Sequence, residues 1–301
     1  MKILLLGKDG QVGWELQRAL APLGDLLVCG RGEADFSDPE PLRALVRGYA
    51  PDVIVNAAAY TAVDKAESDE ASAQVCNAVA PGVLAEEAAA SGAWLVHYST
   101  DYVFDGTKEG AWLETDPVNP LSVYGRTKLE GEERIRASGA RHLILRTSWV
   151  FALRGGNFAK TMIRLAKERE TLSVVADQHG APTGAELLAD ATALALYRIS
   201  ALGADARILS GTYHLAASGS TNWHAYAQHV LAQAQAHGAV LKVRPEFVQP
   251  ITSNAFPTPA ARPANSRLGC KKFCDSFGLV LPDWRHHVDR LVAELAAQDK
   301  L

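Results

Sequence analysis

The segment MKILLLGKDGQVGWELQRAL, residues 1–20, decides how the rest of the chain is interpreted. Its apolar run Lys2–Leu6 predicts a buried strand, and the residues from about Gln11 to Leu20 predict a helix. The turn between them follows the spacing Gly-x-x-Gly-x-x-Gly. There Gly7 permits a tight turn, Gly10 a close approach of the backbone to a ligand, and Gly13 close packing of helix on strand. Because free N–H groups open the helix, the segment predicts a site for the phosphates of a dinucleotide.

The first half of the chain repeats this alternation of short apolar runs and longer helical patterns. Apolar runs without polar alternation favour a parallel sheet that is covered on both faces, and the strand–helix repetition predicts right-handed crossovers. The further predicted strands are Asp25–Cys29, Val53–Asn56, Trp94–Ser99 and His142–Arg146, and the helices between them are Pro39–Tyr49, Ser68–Ser91 and Tyr124–Ala137. We therefore expect an α/β fold with a Rossmann-like, doubly wound parallel sheet.

The second half is less regular and predicts a smaller α/β substrate-binding domain at the C-terminus. Its predicted helices are Phe158–Glu168, Glu186–Leu202, Trp223–His237 and Trp284–Ala297, with a strand at Gly211–Leu215 and a proline-rich loop from Pro245 to Pro263. We assign residues 1–153, together with about 184–212, to the dinucleotide-binding domain. The substrate-binding domain would comprise about 154–183 and 213–301.

Composition limits the class of protein. The 301 residues suffice for about two domains, and a net charge of −4 argues against a non-specific nucleic-acid binder, which would be basic. The four cysteines lack further ligands at metal-site spacing and are interpreted as reduced thiols. The N-terminal apolar run is too short for a signal sequence, and no other stretch reaches the roughly 18 apolar residues of a membrane span. We expect a cytoplasmic protein that binds neither membrane nor nucleic acid.

Tyr124-Gly-Arg-Thr-Lys128 forms the candidate catalytic pair. Residues four apart share one face of a helix, so an ammonium at Lys128 would lower the pKa of the Tyr124 phenol from its ordinary value near ~10. The phenol could then protonate an alkoxide. Thr100 follows a predicted buried strand, at the sheet edge where a doubly wound fold binds its ligands, and could hold a substrate carbonyl.

The nature of the dinucleotide is left open by the second strand, which ends Cys29-Gly30-Arg31. Arg31 could pair with a 2′-phosphate, which favours NADPH, whereas an acid at this place would favour NADH. Glu33 lies close enough to weaken the argument. We expect NADPH to be preferred and NADH to be tolerated.

These segments together are specific enough to indicate a family. The chain resembles the dTDP-4-dehydrorhamnose reductase family of the extended short-chain dehydrogenases/reductases, nearly from end to end. The segments that carry the resemblance are GKDGQVGWE (7–15), VNAAAYTAVDKAE (55–67), HYSTDYVF (97–104), YGRTK (124–128), RTSWVF (146–151) and FPTPAARPANS (256–266). Some members carry an acid where Gly30 stands, so the departure supports the NADPH expectation.

The resemblance implies a reaction and a set of residues. NAD(P)H would deliver hydride to C4 of dTDP-4-dehydro-L-rhamnose (6-deoxy-L-lyxo-4-hexulose) to give dTDP-L-rhamnose, a precursor of lipopolysaccharide or O-antigen. Tyr124 would be the proton donor, Lys128 its partner and Thr100 the carbonyl anchor. Cofactor contacts would come from the glycine turn with Gln11 and Val12, from Asp35 and Phe36 at the adenosine, and from Ala59, Tyr60 and Thr61 at the nicotinamide. Substrate contacts would come from Asp101, Trp149, Arg262 and Asn265.

The resemblance also implies a homodimer, with Mg²⁺ at the interface held by Glu15 and Glu186. From the residues alone these two acids are solvated helix charges, because Mg²⁺ would need waters or a partner chain to complete its octahedron.

Two other functions remain open at this point. One is a nucleotide-sugar epimerase or dehydratase of the same superfamily, although Tyr102 stands where dehydratases tend to carry an acid. The other is a non-catalytic regulatory subunit that binds NADP. Net consumption of NAD(P)H separates the reductase from both.

Overall fold

A computed structural model describes all residues, 1–301, and contains twelve strands and eleven α-helices. The strands are β1 (Lys2–Leu6), β2 (Asp25–Cys29), β3 (Val53–Asn56), β4 (Trp94–Thr100), β5 (Arg141–Thr147), β6 (Val150–Phe151), β7 (Ser173–Val175), β8 (His179–Gly180), β9 (Thr183–Gly184), β10 (Gly211–His214), β11 (Thr221–Asn222) and β12 (Gln249–Ile251). The helices are α1 (Gln11–Leu20), α2 (Glu40–Tyr49), α3 (Val63–Ala66), α4 (Glu70–Gln74), α5 (Ala80–Ser91), α6 (Val123–Ala137), α7 (Phe158–Glu168), α8 (Ala185–Leu202), α9 (Trp223–Ala236), α10 (Lys271–Phe277) and α11 (Trp284–Ala297).

Six of the strands form one parallel sheet in the order β10-β5-β4-β3-β1-β2. Alternate residues of each strand point to opposite faces, so Ile3 and Leu5 enter one core while Leu4 and Leu6 enter the other. Helices α1 and α8 cover the first face, and α2 and α5 cover the second. The fully buried strands explain the unbroken apolar runs, and the predicted doubly wound parallel sheet is confirmed.

The direction of winding reverses at β1, which pairs with β2 on one side and with β3 on the other. A crevice at the carboxyl ends of the strands is expected at such a point. Gly7 lies there with φ of +88°, and a Cβ on it would approach the backbone nitrogen of Ala58 to 2.6 Å. A Cβ on Gly13 would lie 2.0 Å from the carbonyl oxygen of Gly7. Both positions therefore require glycine.

The second half of the chain packs onto the first rather than forming a separate core. Tyr226, Phe273 and Trp284 belong to the same buried cluster as Ile3 and Leu5. β10 joins the central sheet beside β5, whereas the other late strands make only two-stranded pairs. The domain limits given above stay a prediction.

Two local features differ from the expectations. The helical stretch Ser68–Ser91 contains a π-helical segment at Val75–Val79, and α10 was not predicted. The segment Ala185–Leu209 contains an 18-residue window with a mean hydropathy of 1.3, long and apolar enough by composition to cross a membrane, although it has no uninterrupted run of about 18 apolar residues. Half of this window is buried inside the fold, where α8 packs on α1 as a core helix.

Candidate active site

The carboxyl end of β4 and the first turn of α6 bring the proposed catalytic groups together. Ser122 caps α6 by accepting a hydrogen bond from the Gly125 N–H at 3.2 Å, which places Tyr124 in the first turn. The Tyr124 ring meets the ring of Tyr102 edge to face, with centroids 5.5 Å apart. Thr100 ends β4, and its hydroxyl accepts from the Tyr102 N–H at 3.1 Å. The Thr100 side chain lies close enough to the Tyr124 hydroxyl to affect its pKa.

The pKa of Tyr124 shifts in the opposite direction to the one expected from its spacing to Lys128. Loss of hydration raises the pKa of Tyr124 above its ordinary value, and the nearby Thr100 side chain only partly opposes that rise. Asp101 and Tyr102 raise the pKa further, and Lys128 is absent from the groups that act on the phenol. The predicted lowering by Lys128 was therefore wrong for this structure. A phenol with a raised pKa is fully protonated at neutral pH, which suits a proton donor.

Lys128 points toward β4 instead of toward the phenol. Its Nζ donates to the carbonyl oxygen of Tyr98 at 2.6 Å and lies 3.0 Å from Nε2 of His97. The side chain is 1% exposed, and burial lowers the pKa of Lys128 to about 8, while the charge of Glu132 opposes the change.

Asp101 is the most unusual acid of the site. It is 3% exposed, and burial raises its pKa to about 6 against the opposing effect of the Ser266 and Thr100 side chains. Its Oδ2 atom has no hydrogen-bond partner within the protein. A buried carboxylate oxygen without a partner is available to a ligand hydroxyl, in keeping with the predicted sugar contact.

The glycine turn fits a pyrophosphate. Gly10 caps α1 without any side-chain hydrogen bond, and the first turn of the helix contains no acid. The N–H groups of Gln11, Val12 and Gly13 therefore remain for an anion. The side-chain oxygen of Gln11 is also buried without a partner. These features fit a bound dinucleotide.

At the predicted adenosine end, the charged side chains pair in a way that the sequence did not indicate. Arg31 is exposed, and its contact with Asp35 is long, at 4.0 Å. Glu33 accepts from the Gly30 N–H at 2.8 Å and pairs with Lys8 at 2.7 Å. The acid that weakened the case for Arg31 is therefore paired elsewhere. Phe36 is buried beside these groups.

The loop after β3 is held by a residue that sequence reasoning missed. Asn77 lies in the π-helical segment, where its side chain accepts from the Tyr60 N–H at 2.9 Å and donates to the Tyr60 carbonyl at 3.1 Å. The Tyr60 hydroxyl donates to Asp69, while Ala59 and Thr61 remain exposed. A π-segment often marks a functional position, but its sequence carried no signal for it.

The predicted sugar-side residues come from distant parts of the chain. Trp149 has a φ of +49° and stacks on Trp223 with ring centroids 3.7 Å apart. Arg262 pairs with Asp64 at 2.6 Å, and its Nη1 atom is buried without a partner. The guanidinium also lies 5.9 Å from the centre of the Tyr102 ring. Arg262 therefore reaches the site described for Tyr124.

Asn265 forms hydrogen bonds within the protein in place of the predicted contact with the substrate. Its amide nitrogen donates to the carbonyl oxygens of Lys108 and Gly110 at 2.5 and 2.7 Å, and its side-chain oxygen accepts from Arg267. No polar atom of the side chain is left for a nucleotide, so we assign Asn265 to holding this loop. The loop then stands beside the substrate site without Asn265 itself contacting a ligand.

The acids expected to bind magnesium do not complete a metal site within one chain. Glu15 lies 3.6 Å from Arg18, and Glu186 lies 3.2 Å from Arg290. Burial raises the pKa of Glu186, and the carboxylates of Glu294 and Glu15 add to the rise, but no group of three potential ligands exists. The residues of a single chain therefore do not fit the ion.

A buried ion pair below the site was also missed. Glu132 is fully buried, accepts from Ser99 at 2.5 Å and binds Arg146 through two hydrogen bonds of 2.9 and 2.6 Å. It ties α6 to the ends of β4 and β5, next to Thr100. The four-residue spacing from Lys128 to Glu132 was visible in the sequence, but such spacing is common on exposed helices.

Comparison with known proteins extends these observations to the whole chain. The family model described as the RmlD substrate binding domain matches residues 1–297. The chain is 54% identical to the dTDP-4-dehydrorhamnose reductase of Escherichia coli K12 and 49% identical to that of Burkholderia thailandensis, covering 98% and 100% of those proteins and 98% and 99% of this chain. A crystal structure of dTDP-4-dehydrorhamnose reductase from Bacillus anthracis in complex with NADP superimposes with a TM-score of 0.86 at 33% identity, covering 98% of this chain and all of that one.

Proposed function

Because the chain belongs to the RmlD substrate-binding-domain family of dTDP-4-dehydrorhamnose reductases, we propose that it converts dTDP-4-dehydro-L-rhamnose to dTDP-L-rhamnose. It would reduce the C4 keto group with NAD(P)H. The observation that carries the proposal is the meeting of Thr100, Asp101 and Tyr124 beside the strand ends where the glycine turn lies.

The residues divide the chemical work between orientation and proton transfer. When bound, the reduced nicotinamide supplies the hydride. The Thr100 hydroxyl holds the substrate carbonyl oxygen next to the Tyr124 phenol, and Tyr124 donates its proton as charge develops on that oxygen. The unpaired oxygen of Asp101 accepts a hydrogen bond from a hydroxyl group of the sugar. Orientation of the reactants supplies up to ~7–11 kcal/mol of the acceleration.

NADPH is the proposed preferred cofactor. The relative from Bacillus anthracis was crystallised with NADP, and Arg31 presents an exposed guanidinium while Glu33 is paired with Lys8. A 2′-phosphate would meet Arg31 without displacing a strong ion pair.

The test is a comparison of ketone-dependent oxidation of NADPH and NADH, followed by the loss of nicotinamide absorbance. Tyr124→Phe should lower turnover by roughly 10²–10⁴-fold, because the acid is removed, while cofactor still binds. Tyr49→Phe makes the same chemical change on α2, where the hydroxyl only donates to the Asp25 carbonyl oxygen, and should leave the rate unchanged. A near-normal rate in Tyr124→Phe would contradict the role of this residue.

The same assay separates the rival functions. An epimerase or dehydratase recycles its bound cofactor, and a regulatory subunit consumes none, so stoichiometric loss of NADPH with keto sugar supports only the reductase. The environment of Tyr102 also disfavours elimination. Burial and the charge of Asp101 raise the pKa of Tyr102 to about 12, so it is protonated at neutral pH and cannot act as a base.

The assembly and the location are also proposals. Exposed apolar side chains on α1 and α8, among them Trp14 and Leu194, support a homodimer through this face. A magnesium ion held there by Glu15 and Glu186 would need waters or the partner chain to complete its octahedron. If dialysis against EDTA changes neither the dimer mass nor the activity, the metal is excluded. We also propose a cytoplasmic location and a role in supplying O-antigen synthesis, which rest only on the resemblance to the family.

A further inference from the structure

Asn56, His97 and Lys128 form a buried chain of hydrogen bonds behind the proposed acid. Asn56 on β3 and His97 on β4 are partners in the sheet register, with Asn56 Nδ2 3.0 Å from His97 Nδ1. His97 Nε2 lies 3.0 Å from Lys128 Nζ. All three residues are at most 1% exposed, so each contact must pair a donor with an acceptor inside the protein.

The backbone fixes the direction in which this chain runs. The Ala58 N–H donates to Oδ1 of Asn56 at 3.0 Å, and only the oxygen of an amide can accept. The amide nitrogen therefore faces His97, and because it can only donate, Nδ1 of His97 carries no proton. Burial and the nearby Lys128 charge hold the pKa of His97 well below its ordinary value, so the ring is neutral. Its single proton is then on Nε2, directed at Lys128.

An Nε2–H group needs a lone pair opposite it, and an ammonium has none. A neutral amine at Lys128 can accept from Nε2 of His97 while still donating to the Tyr98 carbonyl at 2.6 Å. We propose that Asn56 and His97 are positioning residues that orient the hydrogen bonds toward Lys128 and thereby favour its neutral amine. The proposal rests on the proposed function in so far as Lys128 serves that site.

The other groups around Lys128 do not determine this polarity. Glu132 is one turn further along α6 and favours the ammonium, but Arg146 and Arg136 hold its carboxylate at 2.6 and 3.1 Å. Tyr124 precedes Lys128 by one turn, and the Asp101 carboxyl accepts from Thr100 and lies close to Ser266. Only the His97 ring places a polar hydrogen against Nζ.

The substitution Asn56→Asp tests the direction with almost no change of shape. A carboxylate accepts from Ala58 and also from His97, so the proton of His97 must move to Nδ1. The lone pair of Nε2 would then face Lys128 and stabilise its ammonium. In protein labelled with 15N-histidine, we expect the His97 signal, assigned by its loss in His97→Gln, to show a protonated Nε2 in the wild type and a protonated Nδ1 in Asn56→Asp.

The second readout is the pH dependence of kcat/KM for ketone reduction. The wild type should show an inflection near the pKa of Lys128, about 8, and Asn56→Asp should move it upward by at least about one pH unit, tenfold in proton concentration. Asn222→Asp changes an asparagine that caps α9, and its profile should match the wild type.

Three results would contradict different parts of the proposal. A wild-type His97 protonated on Nδ1 overturns the proposal without use of any Asn56 variant. A reversed tautomer without a moved inflection overturns the effect on Lys128. A wild type that does not oxidise NADPH refutes the proposed function and leaves the tautomer result to stand by itself.

Discussion

Asp101 shows at the scale of one residue how a functional position opposes stability. Its carboxyl group is buried, one oxygen has no partner, and burial raises its pKa from 3.8 to about 6. An acid whose pKa is higher in the folded than in the unfolded state destabilises the fold wherever the unfolded chain is ionised. The penalty is absent below pH ~4, grows between pH ~4 and 6 and is complete above pH 6, where it amounts to about 3 kcal/mol.

Asp101→Asn should therefore stabilise the protein at pH 7.5 by up to about 3 kcal/mol and have little effect near pH 4. Urea unfolding of both proteins at the two pH values measures this difference. Turnover of the same variant should fall, because the amide replaces the carboxylate proposed to bind the sugar. Equal stabilisation at both pH values would show that ionisation of Asp101 is not the cause.

Arg31 can be tested without disturbing the fold, because its side chain is exposed and lies 4.0 Å from Asp35. Arg31→Ala should lower kcat/KM for NADPH by roughly 10–100-fold, the loss expected for a hydrogen bond to a charged group, and leave NADH little changed. Arg31→Lys should keep part of the preference. If NADPH and NADH lose equally in Arg31→Ala, a contact with the 2′-phosphate is refuted.

At the scale of elements, β1, its turn and α1 pack closely enough to leave no room for a side chain at Gly13. A Cβ on Gly13 would lie 2.0 Å from the Gly7 carbonyl oxygen, which is a backbone atom that cannot rotate away. The distance between the strand and the helix that carries the free N–H groups is therefore set by the absence of one side chain.

Gly13→Ala should push α1 away from β1 and lower the free energy of unfolding by about 1–3 kcal/mol, with a weaker affinity for NADPH. Gly48→Ala is the matched control, because it lies within α2 and has open space around it. That change should stabilise the protein by about 0.5–1 kcal/mol. Denaturant unfolding and fluorescence titration with NADPH measure both effects. An unchanged affinity in Gly13→Ala would mean that α1 does not hold the pyrophosphate.

The sequence predicted the sheet well because each strand and the glycine turn are encoded locally. The strand bounds at Lys2–Leu6, Asp25–Cys29 and Val53–Asn56 agree with the structure residue for residue. The directions in which side chains point were not encoded locally. Spacing placed Lys128 on the same helix face as Tyr124, but the Lys128 amine lies against His97 on β4. The Asn265 side chain donates its hydrogen bonds to a loop about 155 residues earlier in the chain.

At the scale of the whole molecule, the proposed site is assembled from both ends of the chain. Arg262 from the proline-rich loop pairs with Asp64 after β3 at 2.6 Å, and Ser266 lies close enough to Asp101 to lower the pKa of that carboxyl group. Trp112 donates to the Asn265 carbonyl at 2.9 Å. The loop is thus attached to the sheet domain at the site itself.

The pair Asp64–Arg262 should act as a unit. We expect Arg262→Ala and Asp64→Ala each to raise KM for the dTDP-sugar about 5–30-fold, the effect of one or two kcal/mol, and the double variant to be no worse than Arg262→Ala. Arg164→Ala breaks an exposed pair with Glu168 and should leave KM unchanged. Strictly additive effects in the double variant would show that the two residues act independently.

The poor hydration of Tyr124 has a consequence for the direction of catalysis. A phenol with a raised pKa is protonated at neutral pH and can give its proton to a newly formed alkoxide, whereas only its ionised form, which is scarce at that pH, can take a proton from an alcohol. Such a site turns over ketone readily at neutral pH, and it would oxidise the finished sugar only in alkaline solution. The surroundings of one hydroxyl thus set the pH range over which the reverse reaction can run, whereas the position of the equilibrium does not depend on the enzyme.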